Sequence, residues 1–394
     1  MDDIARSYIL LAHAIEQHNH GYIDGYYGPP ELARTDVYPL DQLAREADEL
    51  AAVVAALNHA ERRTFLEAQV RAMQTSIALL RGEPIPYREE VRRLYDIEPA
   101  RVPEQEFEQA HAVIAELLPG DGPLAEREQQ FRARFVIPPE RMQDLFDQIV
   151  AELARRTRAR FELPAQESFE VQFVQNQPWS GYNWYLGDNR SRIDINTDLP
   201  KYLTDLPDLI AHEAYPGHHT EHAIKDQRLY REQGRGEHSI LLINAPECVV
   251  SEGIATRALR VVMDQTELRD WLAGDLAARA GLPDADIDAM LALHKARNGM
   301  RAVTENAALM LHEDGANNDE VVAYLQRYRL ATPEEARKSI EFITHPNFRS
   351  YIFTYTRGGA LLDQLFERGD KTAWFARLLN EPVTPGTIRA WSQV

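Results

Sequence analysis

The sequence predicts a mainly helical fold with a small antiparallel β-sheet or hairpin lying beside its central helices. Two observations carry this. Apolar residues recur at three-to-four spacing, with strong helix formers between them, through most of the chain. Only residues 168–197 change to the period of two that marks strands. The chain has 394 residues, enough for two or three average domains or one large helical one. It reads as an N-terminal helical scaffold, 1–165, followed by a region, 166–394. That region holds the sheet at 168–197, helices over 203–264 and C-terminal helices over 282–394, with no repeat or low-complexity linker, so the whole reads as one continuous unit.

The elements follow in order. "LDQLAREADELAAVVAALNHAERRTFLEAQVRAMQTSIALLRGE", 40–83, predicts two amphipathic helices that break at Asn58. "PPERMQDLFDQIVAELARRTRARF", 138–161, starts on prolines, as helix N-termini do, and continues amphipathic. "GYIDGYYGPPEL", 21–32, is rich in Tyr, Gly and Pro and reads as a structured loop whose tyrosines either line a cleft or cap the core. "FEVQFV" and "NWYLGDNRSRIDINTD" alternate, and "DNRS" reads as a four-residue turn between two strands. Helices are then predicted over 203–232, 245–264, 282–312, 318–329, 333–343 and 347–367.

Composition excludes several classes. Hydrophobic residues make up 44% and charged residues 27%, an ordinary globular balance. The net charge is 43 − 62 = −19, which argues against nucleic acid and anionic membranes as partners. The single cysteine, Cys248, rules out an intrachain disulfide. The N-terminal stretch opens acidic and is interrupted by His13, unlike a signal peptide, and no run of about 18 apolar residues occurs. The expectation is a cytoplasmic protein.

"HEAYPGHHTEH", 212–222, packs four of the 13 histidines and two glutamates into eleven positions. In an H-E-x-x-H helix, the two histidines share one face and bind zinc, and the glutamate takes a proton from the metal-bound water. Here His212 and His218 lie six apart, about 600° around an ideal helix, so an unbroken helix would point them away from each other. Pro216 removes the N–H that the His212 carbonyl would need, and Gly217 permits unusual backbone angles. Looping out two residues restores a regular motif and brings His212 and His218 onto one metal, with Glu213 as base. Two rival spellings share the stretch. His219 is nearly in phase with His212, and His218, Glu221 and His222 spell the inverted H-x-x-E-H. A third ligand is expected from "PECVVSEGIATRAL", 246–259. Glu252 stands among apolar residues, where a carboxylate is costly unless paired or metal-bound. Glu247 reads as a first-turn acid favoured by the helix dipole.

"HEAYPGHH" with the later "EGIA" resembles the bacterial domain-of-unknown-function 885 family, which is similar to gluzincin metallopeptidases and more distantly to the carboxypeptidase Taq group and the thimet-type oligopeptidases. The resemblance covers residues 1–394 loosely, and "DGYYGPPEL" shares it. It implies a large helical zincin-like fold, one Zn2+ ion held by His212, His218 and Glu252, and Glu213 as base. The chain departs from the pattern at "TEH", 220–222, and at "SEGIATRAL", where an aromatic commonly follows E-G. A Tyr-x-x-Gly of the family falls on Tyr355 and Gly358, which implies Tyr355 as donor to the oxyanion of peptide hydrolysis.

Other residues are candidates for holding substrate. Arg349 and Arg357 could grip a carboxylate or serve as ordinary salt-bridge partners. In the 182–197 hairpin, Asn183, Trp184 and Tyr185 would face the cleft if it bound an extended peptide along its edge. Arg301 and Glu305 sit at the spacing of a helix ion pair. The reading is thus a zinc-dependent hydrolase acting on peptides or small molecules. Its alternatives are a hydrolase of a non-peptide amide or ester, and a non-catalytic metal-binding protein. The sequence gives neither oligomeric state nor substrate length.

Overall fold

The computed structural model describes residues 1–177, 179–282 and 285–393. The N-terminal helices are α1 (Asp3–Glu16), α2 (Leu40–Ala55), α3 (Ala60–Leu80), α4 (Tyr87–Tyr95), α5 (Glu104–Leu117), α6 (Leu124–Ala133) and α7 (Met142–Arg158). The central ones are α8 (Leu206–Glu213), α9 (His218–Lys225) and α10 (Pro246–Val262), with a π-helical turn over Asp226–Glu232. The last are α11 (Gln265–Trp271), α12 (Ala277–Arg279), α13 (Ile287–Asn298), α14 (Val303–His312), α15 (Asn318–Arg329), α16 (Pro333–Thr344), α17 (Ile352–Phe366), α18 (Lys371–Asn380) and α19 (Pro385–Trp391).

Local chemistry sets many of these boundaries. The break between α2 and α3 falls around Asn58, as expected, and the His59 ring accepts the Arg62 N–H that opens α3. Asn317 with Glu320, and Thr332 with Glu335, form reciprocal capping boxes at α15 and α16. Two expectations change. The run 282–312 is not one helix, because turns at Gly299–Ala302 separate α13 from α14. The run 347–367 starts late, with α17 beginning only at Ile352.

Among the described residues, five strands form two sheets. β1 (Ile23–Tyr26) and β5 (Ile240–Leu242) pair antiparallel, so part of "GYIDGYYGPPEL" is strand and not loop. β2 (Ser168–Val174), β4 (Arg190–Asn196) and β3 (Gly181–Gly187) lie side by side in that order. β3 and β4 make the expected hairpin. Its turn is only the two residues Asp188 and Asn189, with φ of 53° and 59°, and not all of "DNRS". Asp and Asn tolerate this left-handed region, and the mirror-image turn they form suits strand twist. The sheet is mixed and not purely antiparallel, because β2 runs parallel to β4. β4 is the most buried strand, with Ser191, Ile193 and Ile195 on one face and Asp194 and Asn196 on the other, and as the central strand it pairs its backbone on both edges.

The core divides into three clusters. One gathers α1–α3 with Ile240 and Leu242, and a second gathers α4, α5 and α13–α16. The third joins α7, the sheet, α8, α10, α17 and α18. Helix α10 belongs to two of them, through Val249 on one side and Val250, Ile254 and Ala258 on another. It crosses α17 at Gly253 and Gly358. A Cβ on Gly358 would overlap the Val249 carbonyl oxygen and stand 2.8 Å from the Gly253 nitrogen. A Cβ on Gly253 would stand 2.8 Å from the Gly358 oxygen. Only glycine allows the two backbones to meet there. Gly358→Ala is therefore expected to lower unfolding free energy by about 2–3 kcal/mol through overpacking, read as a shift of the denaturant midpoint without a change in slope.

Candidate metal centre

Helix α8 stops at Glu213 and α9 starts at His218. Between them the backbone hydrogen bonds span six residues instead of four: Gly217 N–H donates to Ala211 O at 2.9 Å and Thr220 N–H to Ala214 O at 3.4 Å. Two residues are thereby looped out of helical register. Gly217 is required because a Cβ there would overlap the carbonyl oxygens of His212 and Ala211. The loop brings the ring nitrogens His212 Nε2 and His218 Nε2 to 3.2 Å, with the rings at 86°.

Glu252 reaches the same point from α10. Its Oε2 lies 3.5 Å from His212 Nε2 and its Oε1 lies 3.9 Å from His218 Nε2. Ligands bound to one zinc tetrahedrally at about 2.0–2.2 Å stand about 3.3–3.6 Å apart, so this spacing suits a shared ion. Tyr351 donates to Glu252 Oε1 at 2.7 Å. Oε2 is buried and has no hydrogen-bond partner among the described residues. Burial pushes the Glu252 carboxyl up to about 8, helped by the charges of Glu221 and Asp24 and opposed by Tyr351. A buried carboxylate short of a partner is what a cation would satisfy.

The imidazoles also fit a metal. Burial pushes His218 down to about 4 and His212 well below its ordinary value, so both are neutral. Ser251 Oγ donates to Glu221 Oε2 at 2.6 Å and lies 3.1 Å from His218 Nδ1. With its only proton given to the carboxylate, Ser251 accepts from His218 Nδ1–H, which leaves the His218 Nε2 lone pair bare toward His212 and Glu252. Glu213 completes the cluster: His212, Glu213 and His218 each offer a ligand atom within 4.8 Å of the others. Its carboxyl is raised well above the ordinary range, first by burial, then by Glu252 and Asp24. Gly181 makes room for it, since a Cβ there would stand 2.9 Å from Glu213 Oε1.

Two of the rivals, His219 and Glu221, have other partners. His219 is fully buried, with Nδ1 2.8 Å from Ser191 Oγ and Nε2 2.8 Å from Glu167, so neither nitrogen faces the cluster. His222 stacks on His218 at 8° and packs on Tyr185. Glu221 accepts from Lys225 at 2.7 Å as well as from Ser251, and Lys225 also donates to Glu247 at 3.2 Å. Glu221, the acid of the inverted spelling, is thus half of a buried ion pair.

A cavity of about 470 Å³ opens beside His212 and is lined by Tyr355 among others. Burial and the charges of Glu252 and Glu213 raise the Tyr355 hydroxyl well above its usual value, so it is a proton donor. The substrate-binding candidates fare differently. Arg349 is paired with Glu90, and Arg357 with Glu305 at 3.0 Å, so neither guanidinium is free. Glu305 thus pairs across helices and not with Arg301, as spacing alone suggested. Asn183 is buried and donates to the Glu213 carbonyl at 2.8 Å, and Tyr185 donates to Asp226 at 2.7 Å. Both hold the scaffold in place, because β3 turns these side chains inward. The sequence reading missed Ser251, and it missed Tyr351 as the partner of Glu252. It also missed Asp24, whose carboxyl burial pushes up to about 6 against a bond from Tyr182. The acid in "GYIDGYYG" was its one signal.

No family model and no curated protein matches the chain. Among solved structures it is similar to a protein described as a lipoprotein from Colwellia psychrerythraea. The TM-score is 0.54 at 18% identity, over 90% of this chain and 67% of that one, a likeness of fold alone. A second such protein, of unknown function, from Shewanella oneidensis aligns at TM-score 0.45 and 11% identity over 92% of this chain and 74% of its own. An M32 carboxypeptidase from Deinococcus radiodurans R1 aligns at TM-score 0.42 and 12% identity over 99% and 94%. Among the described residues no helix is long and apolar enough to cross a membrane.

Proposed function

We propose that the chain is a zinc-dependent hydrolase, and more narrowly a metallopeptidase, in which His212, His218 and Glu252 hold one zinc ion. The observation that carries this reading is the convergence of two neutral imidazole Nε2 atoms on a buried Glu252 oxygen without a partner. The resemblance of "HEAYPGHH" and "EGIA" to the 885 family and, through it, to the gluzincins supports the same assignment. When bound, zinc supplies Lewis acidity, lowering the pKa of water from about 15.7 toward about 7.

The chain's own residues do the rest. Glu213 accepts a proton from the attacking water and returns it to the leaving amine. Burial and the charges of Glu252 and Asp24 raise the proton affinity of its carboxyl, the direction that favours taking a proton. Tyr355 donates a hydrogen bond to the oxyanion as it forms. Ser251 and Glu221 hold the His218 ring in the tautomer that ligation needs. The cavity beside His212 admits the substrate.

Three substitutions test this. Glu213→Gln should keep stoichiometric zinc by mass spectrometry and lose about 10²–10⁴-fold in kcat on a peptide library, because an amide accepts no proton from water. A zinc-loaded Glu213→Gln protein with wild-type turnover would sink the assignment. Tyr355→Phe should lower kcat and kcat/KM together by about 10²–10³ with zinc content unchanged; full activity would make Tyr355 a packing residue. Glu221→Gln should cost turnover only about tenfold, the low end for a partner of a metal ligand, because the amide oxygen still accepts from Ser251. Its unfolding free energy should nevertheless drop by about 3 kcal/mol, since Lys225 would keep only Glu247.

A further inference from the structure

The cavity beside His212 is cationic in a protein of net charge −19. Arg132, His294, Arg297, Arg301 and Arg329 all line it. Three of these are matched by acids. Arg132 lies 3.5 Å from Asp205 and 3.9 Å from Glu128, and Arg297 also pairs with Glu128. His294 lies 3.2 Å from both Asp205 and Asp208, and these bonds outweigh burial to push it up to about 9. Two cations are left over. Arg329 donates to Ser339 Oγ at 2.7 Å, and no carboxylate among the described residues pairs with it or with Arg301.

Arg301 is exposed and Arg329 half-buried where they line the cavity, so both guanidinium groups are open to a ligand, and neither can shed its charge by losing a proton. The two leftover charges also have different neighbours. The Arg301 charge reaches the His212 imidazole and is itself offset, beyond ion-pair distance, by Asp208 and Asp205, whereas Arg329 stands with Arg297 and Glu335. One carboxylate satisfies one guanidinium fork. Two forks at separate places in one cavity ask for two anionic groups. Met290, Leu293 and Ile352 supply an apolar wall between polar contacts. The cavity volume falls in the range that takes a small ligand or one to two amino-acid residues.

We propose that this cavity receives a doubly anionic leaving residue, so that the substrate is a peptide ending in aspartate or glutamate, with its α-carboxylate and side-chain carboxylate shared between Arg301 and Arg329. The inference rests on the hydrolase reading above for its chemistry, but the anion site stands on the unpaired arginines alone. The scission it serves is ordinary hydrolysis: water adds across the last peptide bond, the amine takes a proton, and the free acidic amino acid leaves.

The test uses the full chain, with and without zinc, and two probes of equal shape, N-acetyl-L-glutamate and N-acetyl-L-glutamine. Calorimetry should give at least about tenfold tighter binding of the dianion, since only it engages both forks. Arg301→Gln and Arg329→Gln should each remove most of that preference, and Arg329→Lys should retain part of it. Circular dichroism confirms that each variant folds, and the Lys variant serves if Arg329→Gln does not. Equal affinity for the two probes, no binding of N-acetyl-L-glutamate at millimolar concentration, or a preference untouched by the substitutions overturns the proposal. In parallel, zinc-loaded protein should cleave Ala-Ala-Glu with higher kcat/KM than Ala-Ala-Gln. Dianion binding without cleavage of any peptide would refute the hydrolase reading and leave the anion site standing. Cleavage without acidic preference would do the reverse.

Discussion

The contact between Gly253 and Gly358 is the constraint on which the rest of the site depends. It lets α10 and α17 approach to backbone distance. Helix α10 carries Ser251 and Glu252 immediately before its glycine, and α17 carries Tyr355 one turn before its own, with Tyr351 just ahead of the helix. Close approach is what lets the Tyr351 hydroxyl reach Glu252 and sets Tyr355 over the same carboxylate. Helix α10 also packs against α8, so one buried helix fixes the distance from Glu252 to His212. Small side chains at one crossing thus set the bite of a cluster assembled from three helices.

Buried charge around the cluster is paired almost throughout. Lys225 sits between Glu221 and Glu247, Glu167 between His219, Tyr215 and Arg158, and Asp226 between Tyr185 and Arg231. Each pair is worth little as net stability, because desolvation offsets most of the attraction. Their value is positional. They hold His219 away from the cluster and hold Ser251 toward it. Against that background, Glu252 Oε2 stands out as buried without a partner, and the exposed Arg301 and half-buried Arg329 as cations without an ion pair among the described residues. All three lie at the candidate site or in the cavity next to it.

Much of this is legible in the sequence, and the limits of that legibility are physical. Amphipathic spacing reports α2, α3, α7, α15 and α16 because the partner residues lie within one or two turns. The proline and glycine of "AYPG" report the looped backbone because their restrictions are local. Glu252 is legible because a lone acid in an apolar helix needs an explanation. What stays hidden is partner choice over long separations. β1 pairs with a strand more than 200 residues away, and a four-residue strand containing glycine carries no usable period. Arg349 finds Glu90 at a separation of 259 residues, and Glu305 finds Arg357 at 52. Spacing along one helix speaks only of neighbours three and four apart. The parallel placement of β2 is likewise a choice of partner strand, and alternation within β2 does not encode it.

The looped segment between α8 and α9 has a further consequence. On an unbroken helix both histidines would ride on one rigid element, and an ion between them would join nothing that was not already joined. Here His212 and His218 end and begin separate helices, while Glu252 belongs to a third distant in sequence. An ion held by all three is a cross-link between segments that chain unfolding would separate. Its binding free energy then adds to folding free energy, rising with free zinc as RT ln(1 + [L]/Kd), about 4 kcal/mol at a thousandfold excess over Kd. With zinc as that ion, the thermal midpoint would become a gauge of zinc supply, and a chelator would act on the fold as a denaturant does.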